Sequence, residues 1–558
     1  MKLLDKKYSP SELEDRWYNH WLEKDYFSSK PSDNHYTIVI PPPNVTGKLT
    51  MGHVLNNTIQ DILIRKARME GKNACWVPGT DHASIATESK VAKMLQEKGI
   101  DKKDISREEF LEHAWEWKEK YGGIIINQLQ KLGCSCDWDK LSFTMDEKYS
   151  DAVLESFVRL FNKGLIYKGN RLVNWCPKSQ TALSDEEVIF KEVNGKLWYI
   201  KYAIENSNTF IEIATTRPET MLGDVAIAVN PSDKRFKDLV GSSAILPIAG
   251  RKIPIIADEM VDPEFGTGCV KITPAHDPND YNVGLKHSLD MINVMNPDGS
   301  INSNGPESYI GLTREDARKQ VIDDLKKDNH LLKEEDYLHK VGFSERGDVP
   351  IEYYLSEQWF LKMEDLAKPA SKAVKNGEIN FYPNHWVKTY DHWMDNIQDW
   401  CISRQLYWGH RIPVWYKKDS DRTKKENWFV STTPPEDIEN WEQDPDVLDT
   451  WFSSWLWPFA VHNWPEEEKI NYYPTSTLVT GPDIIFFWVA RMIMSGFEFM
   501  GDIPFKDVYF TSILRDEKGR KLSKSLGNSP DPITLFEKYG TDATRFSIML
   551  MSPQGSDV

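Results

Sequence analysis

The chain has 558 residues, 40% of them hydrophobic and 12% aromatic, which is length and apolar content for roughly three to four domains with cores of their own. A formal net charge of −17 and a pI near 5.4 argue against indiscriminate nucleic-acid coating, though a local basic face can still bind RNA. Mean hydropathy is −0.54, and no apolar run reaches the ~18 residues that a membrane span needs, so no membrane partner is expected. Ile484–Met494 comes nearest, but it is short and carries Arg491, and it reads as a buried helix. Met1–Lys7 shows no apolar core of a secretory signal. The six cysteines (75, 134, 136, 176, 269 and 401) form no C-x-x-C pair and read as reduced thiols of a cytoplasmic protein.

In chain order, Ser9-Pro10-Ser11-Glu12 has the pattern of a helix start: a Ser cap, Pro at the first helical position and Glu three residues after the cap. Leu13, Trp17 and Trp21 then form a stripe at four-residue spacing. Tyr36–Ile40 is a short β-type run stopped by Pro41-Pro42-Pro43, and a helix is expected from Met51 to Glu70 with Gly71 as its stop. Asn73–Pro78 reads as the next buried strand. Strand, helix, strand is a βαβ unit, which predicts a parallel sheet with its ligand site at the carboxyl ends of the strands. Charged helical patterns run on to Gly133. From Lys196 to Leu338 the texture changes to short β-type runs (Thr209–Thr215, Ala244–Ile248, Lys252–Ala257) with frequent Pro and Gly, which reads as an inserted β-rich domain. A second βα passage is expected at Thr477–Phe499, and Pro532–Val558 is helical in pattern.

Three segments carry candidate chemistry. In Pro41–His53, Gly52 and His53 fall in the first turn of a helix that follows a strand, where unpaired N–H groups and the helix dipole favour a phosphate. A capped helix with a surface histidine is the plainer reading. In Asp516–Asn528, glycines bracket Lys521 and Lys524, so the loop can close over a polyphosphate, or be only a solvated turn. In the insert, Thr215–Thr220 and Gly266–Tyr281 concentrate polar groups. Asp277–Asp280 lacks the sixth-position Gly and twelfth-position Glu of a calcium loop, but an Asx turn without chemistry fits it as well.

Thr50-Met51-Gly52-His53 and Lys521-Leu522-Ser523-Lys524-Ser525, in this order, resemble the paired "HIGH" and "KMSKS" sequences of class I aminoacyl-tRNA synthetases. Pro41–Gly47, Gly79-Thr80-Asp81-His82-Ala83, Trp400–Trp415 and Asp449–Ser454 resemble the valyl branch, whereas isoleucyl and leucyl relatives are expected to show G-W-D-x-x-G at Gly79–Ser84. The resemblance implies an α/β fold: a Rossmann-type parallel-sheet catalytic domain interrupted by a β-rich editing domain. Its boundaries are expected at 1–195 and 341–515 for the two catalytic halves, 196–340 for the insert, and 516–558 for the lysine loop and the start of a helical stem.

The resemblance also implies substrates and site residues. L-valine, ATP with Mg2+ and tRNA(Val) would be the partners of a monomer. Asp81 would hold the amino-acid ammonium, with Pro42 and Asn44 beside it and Trp451, Ile484 and Trp488 shaping the apolar pocket; core packing is the plainer reading of the tryptophans. Gly52, Gly481 and Asp483 would face the nucleotide, and Thr50, His53, Lys521 and Lys524 its phosphates. In the insert, Asp280 would take the ammonium of a misacylated residue, Thr273 and Asp277 its hydroxyl or the attacking water, and Arg217 and Lys271 the terminal adenosine or its phosphate.

The departures are Thr50 for His, Leu522 for Met, and Cys176-Pro177-Lys178-Ser179 with Ser344 where zinc-bearing members show cysteines, so no zinc or other protein-held metal is expected. Family members continue past Val558 into an anticodon-binding domain, so the chain reads as a catalytic-plus-editing portion. An isoleucyl-type enzyme and an inactive RNA-binding paralogue are the alternatives.

Overall fold

The structure is a computed structural model that describes residues 10–467, 470–523 and 526–554. Helix α1 (Pro10–Glu23) opens it, while its expected cap, Ser9, lies outside the described residues. The buried face of α1 differs from the expected stripe: Trp17 is 48% exposed and Tyr18 is buried. Tyr18 can turn inward because its polar tip is satisfied there, donating to the Cys134 carbonyl at 2.7 Å and accepting from Trp138 Nε1 at 3.0 Å.

Strand β1 (His35–Val39) pairs in parallel with β2 (Asn73–Val77) in the register His35↔Asn73 to Val39↔Val77, with α2 (Met51–Met69) between them. Gly71 at φ +76° ends α2, a left-handed position that suits glycine. The charged patterns that follow are α3 (Ser84–Glu97) and α4 (Arg107–Lys131). A capping box opens α4: Ser106 Oγ accepts from Glu109 N–H at 3.1 Å and Glu109 from Ser106 N–H at 3.0 Å.

The chain then enters a second compact unit, Lys168–Trp359, while Met1–Tyr167 and Phe360–Val558 form the first. The β-rich stretch expected at 196–340 lies within the second unit. Its strands are β3 (Val188–Ile204), β4 (Phe210–Thr215), β5 (Ala226–Val229), β6 (Ser243–Ile245), β7 (Lys252–Ala257), β8 (Cys269–Ile272) and, after helices α5 (Pro278–His287) and α6 (Arg314–Lys327), β9 (Leu331–Ser344). The order is β8-β5-β7-β6-β3-β9 with β4 also on β3, antiparallel except for β5 with β7. Ile200, Tyr202, Ile213, Ile227, Ile255 and Val294 fill its core.

In the first unit, β10 (Asn380–Tyr382), β11 (Thr475–Thr480) and β12 (Phe505–Phe510) form a parallel sheet in the order β10-β12-β11. β11 lies beside β1, where Thr37 N–H donates to Ser476 Oγ at 3.0 Å and the Tyr36 and Thr477 hydroxyls are 3.0 Å apart. The parallel α/β arrangement expected from sequence is therefore present. The helical stretch after β11 is less regular than its apolar run suggests. It starts as a 3-10 turn at Pro482–Ile484 and carries π-turns at Ile485–Val489 and Gly496–Met500 on either side of the α-helical Ala490–Ser495. π-turns of this kind concentrate at functional sites.

The last helices are α7 (Pro532–Tyr539) and α8 (Thr541–Met551). Arg545 of α8 pairs with Asp61 of α2, a fully buried carboxylate that also accepts from Ser135 N–H (2.9 Å), Ser135 Oγ (2.6 Å) and Arg65 Nε (2.7 Å). Burial opposes its charge, but Arg545 and Arg65 outweigh it and hold the carboxyl below its usual range. Gly79, just after β2, is packed so closely that a methyl group would overlap the Ser142 carbonyl and the Trp457 ring. Gly79→Ala is expected to destabilise the first unit by about 1–3 kcal/mol, the usual cost of overpacking, read as an earlier first transition in calorimetry.

Candidate functional site

The carboxyl ends of β1 and β2 bring the first candidate residues together. The parallel pairing continues past the strands as an Asn44↔Asp81 bridge, with Asp81 N–H donating to the Pro43 carbonyl at 3.0 Å and Val45 N–H to the Asp81 carbonyl at 3.1 Å. Pro42 and Asn44 thus stand beside Asp81. The Asp81 carboxylate is 3% exposed; it accepts from Ala83 N–H at 2.6 Å on Oδ1 and from the Ser454 hydroxyl on Oδ2. Burial pushes its pKa up to about 6 against the pull of these two donors.

Ser454 ends the short helix Thr450–Ser454, which Asp449 caps by accepting from Trp451 N–H at 3.1 Å. The Trp488 indole donates to the Ser454 carbonyl at 2.8 Å, and Trp451 packs on Phe487 with ring centroids 5.1 Å apart. Ile484 ends the 3-10 turn immediately before the π-turn that carries Phe487. Asp81 and Trp488 thus meet at Ser454, and Trp451 lies in the helix that Ser454 ends.

Beside them, α2 starts at Met51 with Thr50 as its cap. Thr50 N–H donates to His53 Nδ1 at 3.1 Å, and Thr50 Oγ1 lies 2.9 Å from the same nitrogen. A backbone N–H can only donate, so Nδ1 accepts and the proton of the neutral ring sits on Nε2. His53 is thus both part of the cap and an Nε2 donor. A Cβ at Gly52 would meet Thr50 Oγ1 at 3.6 Å, so the absent side chain leaves the helix start bare. One of the expected open N–H groups is occupied: Met51 N–H donates to Ser529 Oγ at 3.0 Å.

That bond ties the first motif to the residue just past the second. Residues 515–522 form a tight turn in which Asp516 accepts from Lys518 N–H (3.0 Å), Arg520 N–H (2.9 Å), Arg520 Nε (2.9 Å) and Asn528 Nδ2 (3.0 Å), with Gly519 at φ +74°. The Asn528 hydrogen bond and the others hold the Asp516 carboxyl well below the usual range. Lys48 reaches Asp531 at 3.0 Å, a second tie from the start of α2 to the end of the loop. Lys521 is ion-paired with Asp483, at the carboxyl end of β11, next to Gly481. A side chain at Gly481 would run into that carboxylate. Lys524 and Ser525 lie outside the described residues.

The second unit holds a separate buried cluster around Lys271. Its ammonium contacts Asp224 Oδ1 at 3.0 Å, Thr220 Oγ1 at 3.2 Å and the Thr273 hydroxyl, and it is 8% exposed. Asp224, fully buried, also accepts from Thr273 Oγ1 (2.6 Å) and Tyr202 (2.8 Å). Asp280 accepts from Thr273 N–H at 2.8 Å, and burial raises its pKa to about 7 despite Lys271. Asp277 behaves as the Asx reading expected: it caps α5, accepting from the N–H groups of Asn279 (2.8 Å) and Asp280 (3.2 Å).

Arg217 sits in a charge ladder. It pairs with Glu219 and Glu352, while Arg318 binds Glu219 at 2.8 Å and Arg314 binds Glu352 at 2.7 Å. Burial opposes each charge here. Glu352 and Glu219 nonetheless raise the Arg217 pKa, and Arg318 and Arg217 bring Glu219 down to about 2. His276 is buried beside the ladder, accepts from Val294 N–H on Nε2 at 3.0 Å, and is lowered to about 3 by burial and by Arg217 and Lys271.

Sequence reasoning missed Asp224, Glu219 and Glu352. The signal for Asp224 is an acid immediately before the wholly apolar Val225–Val229.

Cys176 faces the Ser344–Gly347 turn: Ser179 N–H reaches Cys176 Sγ at 3.4 Å and Gly347 N–H reaches Ser344 Oγ at 3.0 Å. One thiol and two hydroxyls are a poor donor set for zinc, and no cluster of three or more His, Cys, Asp or Glu suited to a metal occurs among the described residues. No described helix is long and apolar enough to cross a membrane.

The family model described as tRNA synthetases class I (I, L, M and V) matches residues 16–558. A valine–tRNA ligase of Parabacteroides distasonis is 57% identical over 99% of this chain and 65% of its own length. One from Bacteroides fragilis is 57% identical over 100% of the chain and likewise 65% of its own length. The chain thus spans about two thirds or slightly less of these relatives. Among solved structures, the ternary complex of Agrobacterium radiobacter LeuRS with tRNA and LeuAMS superposes with a TM-score of 0.56 at 19% identity, covering 99% of this chain and 74% of that one, which is a likeness of fold.

Asp516 holds the 515–522 turn through four bonds, so Asp516→Ala is expected to speed tryptic cleavage after Lys518, Arg520 or Lys521 several-fold under native conditions, followed by mass spectrometry.

Proposed function

Because this chain belongs to the class I tRNA synthetases (I, L, M and V), we propose that it activates L-valine with ATP and transfers it to tRNA(Val), as a cytoplasmic monomer. The observation that carries the reading is the bond from Met51 N–H, in the first motif, to Ser529 Oγ, just past the second, together with a buried Asp81 carboxylate that shares Ser454 with the Trp488 ring. The names of the relatives, valine–tRNA ligases at 57% identity, support valine as the amino acid.

In the proposed reaction Asp81 binds the α-ammonium of valine, and Trp451, Ile484 and Trp488, with Pro42 and Asn44, bound its side chain. A valine carboxylate oxygen attacks the α-phosphorus of ATP, and the bond to pyrophosphate breaks. No side-chain nucleophile is needed; orientation and charge stabilisation do the work. Gly52 and Gly481 let the nucleotide approach, Asp483 accepts from a ribose hydroxyl, and His53 Nε2, Thr50, Lys521 and Lys524 stabilise charge on the phosphates. Mg2+ enters with ATP, held by phosphate oxygens. A terminal ribose hydroxyl of tRNA(Val) then attacks the carbonyl carbon and AMP leaves.

Threonine has nearly the shape of valine, and an apolar pocket rejects it by only about a hundredfold, a figure that comes from valyl enzymes themselves. We therefore assign the Lys271 cluster to hydrolysis of Thr-tRNA(Val). Asp280 anchors the ammonium, Thr273 and Asp277 meet the hydroxyl or the water, and Arg217 lies at the side of the terminal adenosine. Lys271 acts indirectly, holding Thr273 and Asp224 in place.

Pyrophosphate exchange on the 558-residue chain is expected to depend on valine, weakly on threonine and not on isoleucine; exchange driven by isoleucine, or by no amino acid, would favour the isoleucyl or the inactive-paralogue reading. His53→Ala should lower exchange by about 10²–10³, the usual effect of removing one charge-stabilising donor, while Thr50→His preserves or raises it. Normal exchange in His53→Ala sinks the first half of the site. Asp280→Ala should abolish deacylation of Thr-tRNA(Val) and leave valine exchange intact. In the unsubstituted chain deacylation should fall as pH drops through about 7, where Asp280 takes up its proton.

A further inference from the structure

We infer that Ser454 is a positioning residue of the amino-acid site: its hydroxyl orients the Asp81 carboxylate while its carbonyl holds the Trp488 ring, registering the polar and apolar halves of the pocket to one residue. The inference deepens the proposed function and rests on the reading of Asp81 as the ammonium ligand. Ser454 is 1% exposed, so neither contact is exchanged for water. Its Oγ lies within reach of two acceptors, Asp81 Oδ2 and, one helical turn back, the Thr450 carbonyl at 3.1 Å. One hydroxyl hydrogen serves one of them fully. An ionised carboxylate outbids a carbonyl because the charge-assisted bond is about twice as strong. The bond to Thr450 alone would make Ser454 an ordinary back-bonded helical serine.

The two Asp81 oxygens are thereby assigned different partners: Oδ1 takes Ala83 N–H and Oδ2 takes Ser454 Oγ–H, which fixes the plane of the carboxylate. The carbonyl of the same residue fixes the tryptophan through a bond that substitution of the hydroxyl leaves in place. The hydroxyl therefore acts on the ammonium contact alone, and it acts by favouring the charged form. Removing it leaves Asp81 buried with fewer donors, so the carboxylate protonates at higher pH.

The other groups facing Asp81 do not blur this. His82 Nδ1 stands 3.7 Å away and His410 packs edge-on to His82 at 5.0 Å; burial pushes His82 well down and His410 to about 4, so both rings are neutral where Asp81 titrates. Asp449 pushes the Asp81 pKa further up, but it is ion-paired with Arg404 at 2.9 Å and accepts from Trp400 Nε1 at 2.9 Å, contacts that a change at Ser454 leaves in place. The buried Tyr149 hydroxyl donates to the Ser453 carbonyl at 2.9 Å, and burial raises its pKa.

The test is valine-dependent pyrophosphate exchange by the 558-residue chain from about pH 5 to about pH 8.5, with kcat/KM reporting the free enzyme. Ser454→Ala should shift the acid limb of kcat/KM upward by about one pH unit and raise the valine KM several-fold at pH 7, with recovery towards the unsubstituted value at the alkaline end. Ser454→Thr, which keeps the hydroxyl, should retain the original limb. A loss that is equal at every pH, or an unmoved limb, overturns the inference. If Ser454→Ala does not fold, Ser454→Cys, a weaker donor, should move the limb in the same direction by less, and an unmoved limb there counts equally against it. Absence of valine exchange in the unsubstituted chain would instead defeat the proposed function, an outcome separate from any shift between variants.

Discussion

The arrangement of the first unit hangs on the parallel register of β1 with β2. Once His35 is opposite Asn73, Val39 is opposite Val77, and the same pairing runs on to set Asn44 against Asp81. The backbone bonds Ile40 N–H to the Val77 carbonyl (3.0 Å) and Asp81 N–H to the Pro43 carbonyl (3.0 Å) carry it across the three prolines, which have no N–H to give. A one-residue slip would turn Asp81 away from Ser454 and send a charge into the packed interior. The same register aims the start of α2, because the crossover leaves from the end of β1 and returns to the start of β2. Asp61 then pins α2 along its length to Ser135 and Arg545, so the helix that presents Thr50–His53 is held at its middle as well as at its cap.

The second unit stabilises buried charge differently. In the ladder Arg314–Glu352–Arg217–Glu219–Arg318 each carboxylate touches two guanidinium groups. An isolated buried pair seldom recovers its desolvation cost, but a network that fills every lone pair can, and breaking it by removing one member is strongly destabilising. The Lys271 cluster is smaller and more delicately balanced. One ammonium stands against Asp224, with Asp280 nearby and raised to about 7, so the cluster can hold or release a proton close to neutrality.

Much of this was legible in the sequence. The strand–helix–strand unit, the strand at Lys252–Ala257 and the stop at Gly71 follow from local signals that tertiary structure did not override. Trp17 misled because a periodic stripe records spacing and not which ring has a polar partner inside; Tyr18 had Cys134 and Trp138 waiting, both far away in sequence. The run after β11 looked like one apolar helix, yet hydropathy does not register the 3-10 and π turns. Asp224 and Glu352 escaped notice since each acts through contacts across the fold and belongs to no short motif. Lys271 was visible as a cation near the right segment, but its engagement with Asp224 is a packing fact.

The Lys521–Asp483 pair sets two residues of the proposed nucleotide site against each other. Asp483 is proposed to meet a ribose hydroxyl and Lys521 a phosphate, yet in the structure they meet each other, with side chains 38% and 50% exposed. An ion pair this open contributes no more than about 1 kcal/mol, because water screens it and both side chains lose freedom. ATP offers each partner something better: a polyanion for the lysine and a hydroxyl donor for the carboxylate. Loss of the pair would leave the turn that carries Lys521 in place, since Asp516 and Asn528 set that turn rather than the pair itself. The pair leaves two opposite charges satisfied at a contact that water already reaches, so a stronger partner for either side chain displaces it at little cost.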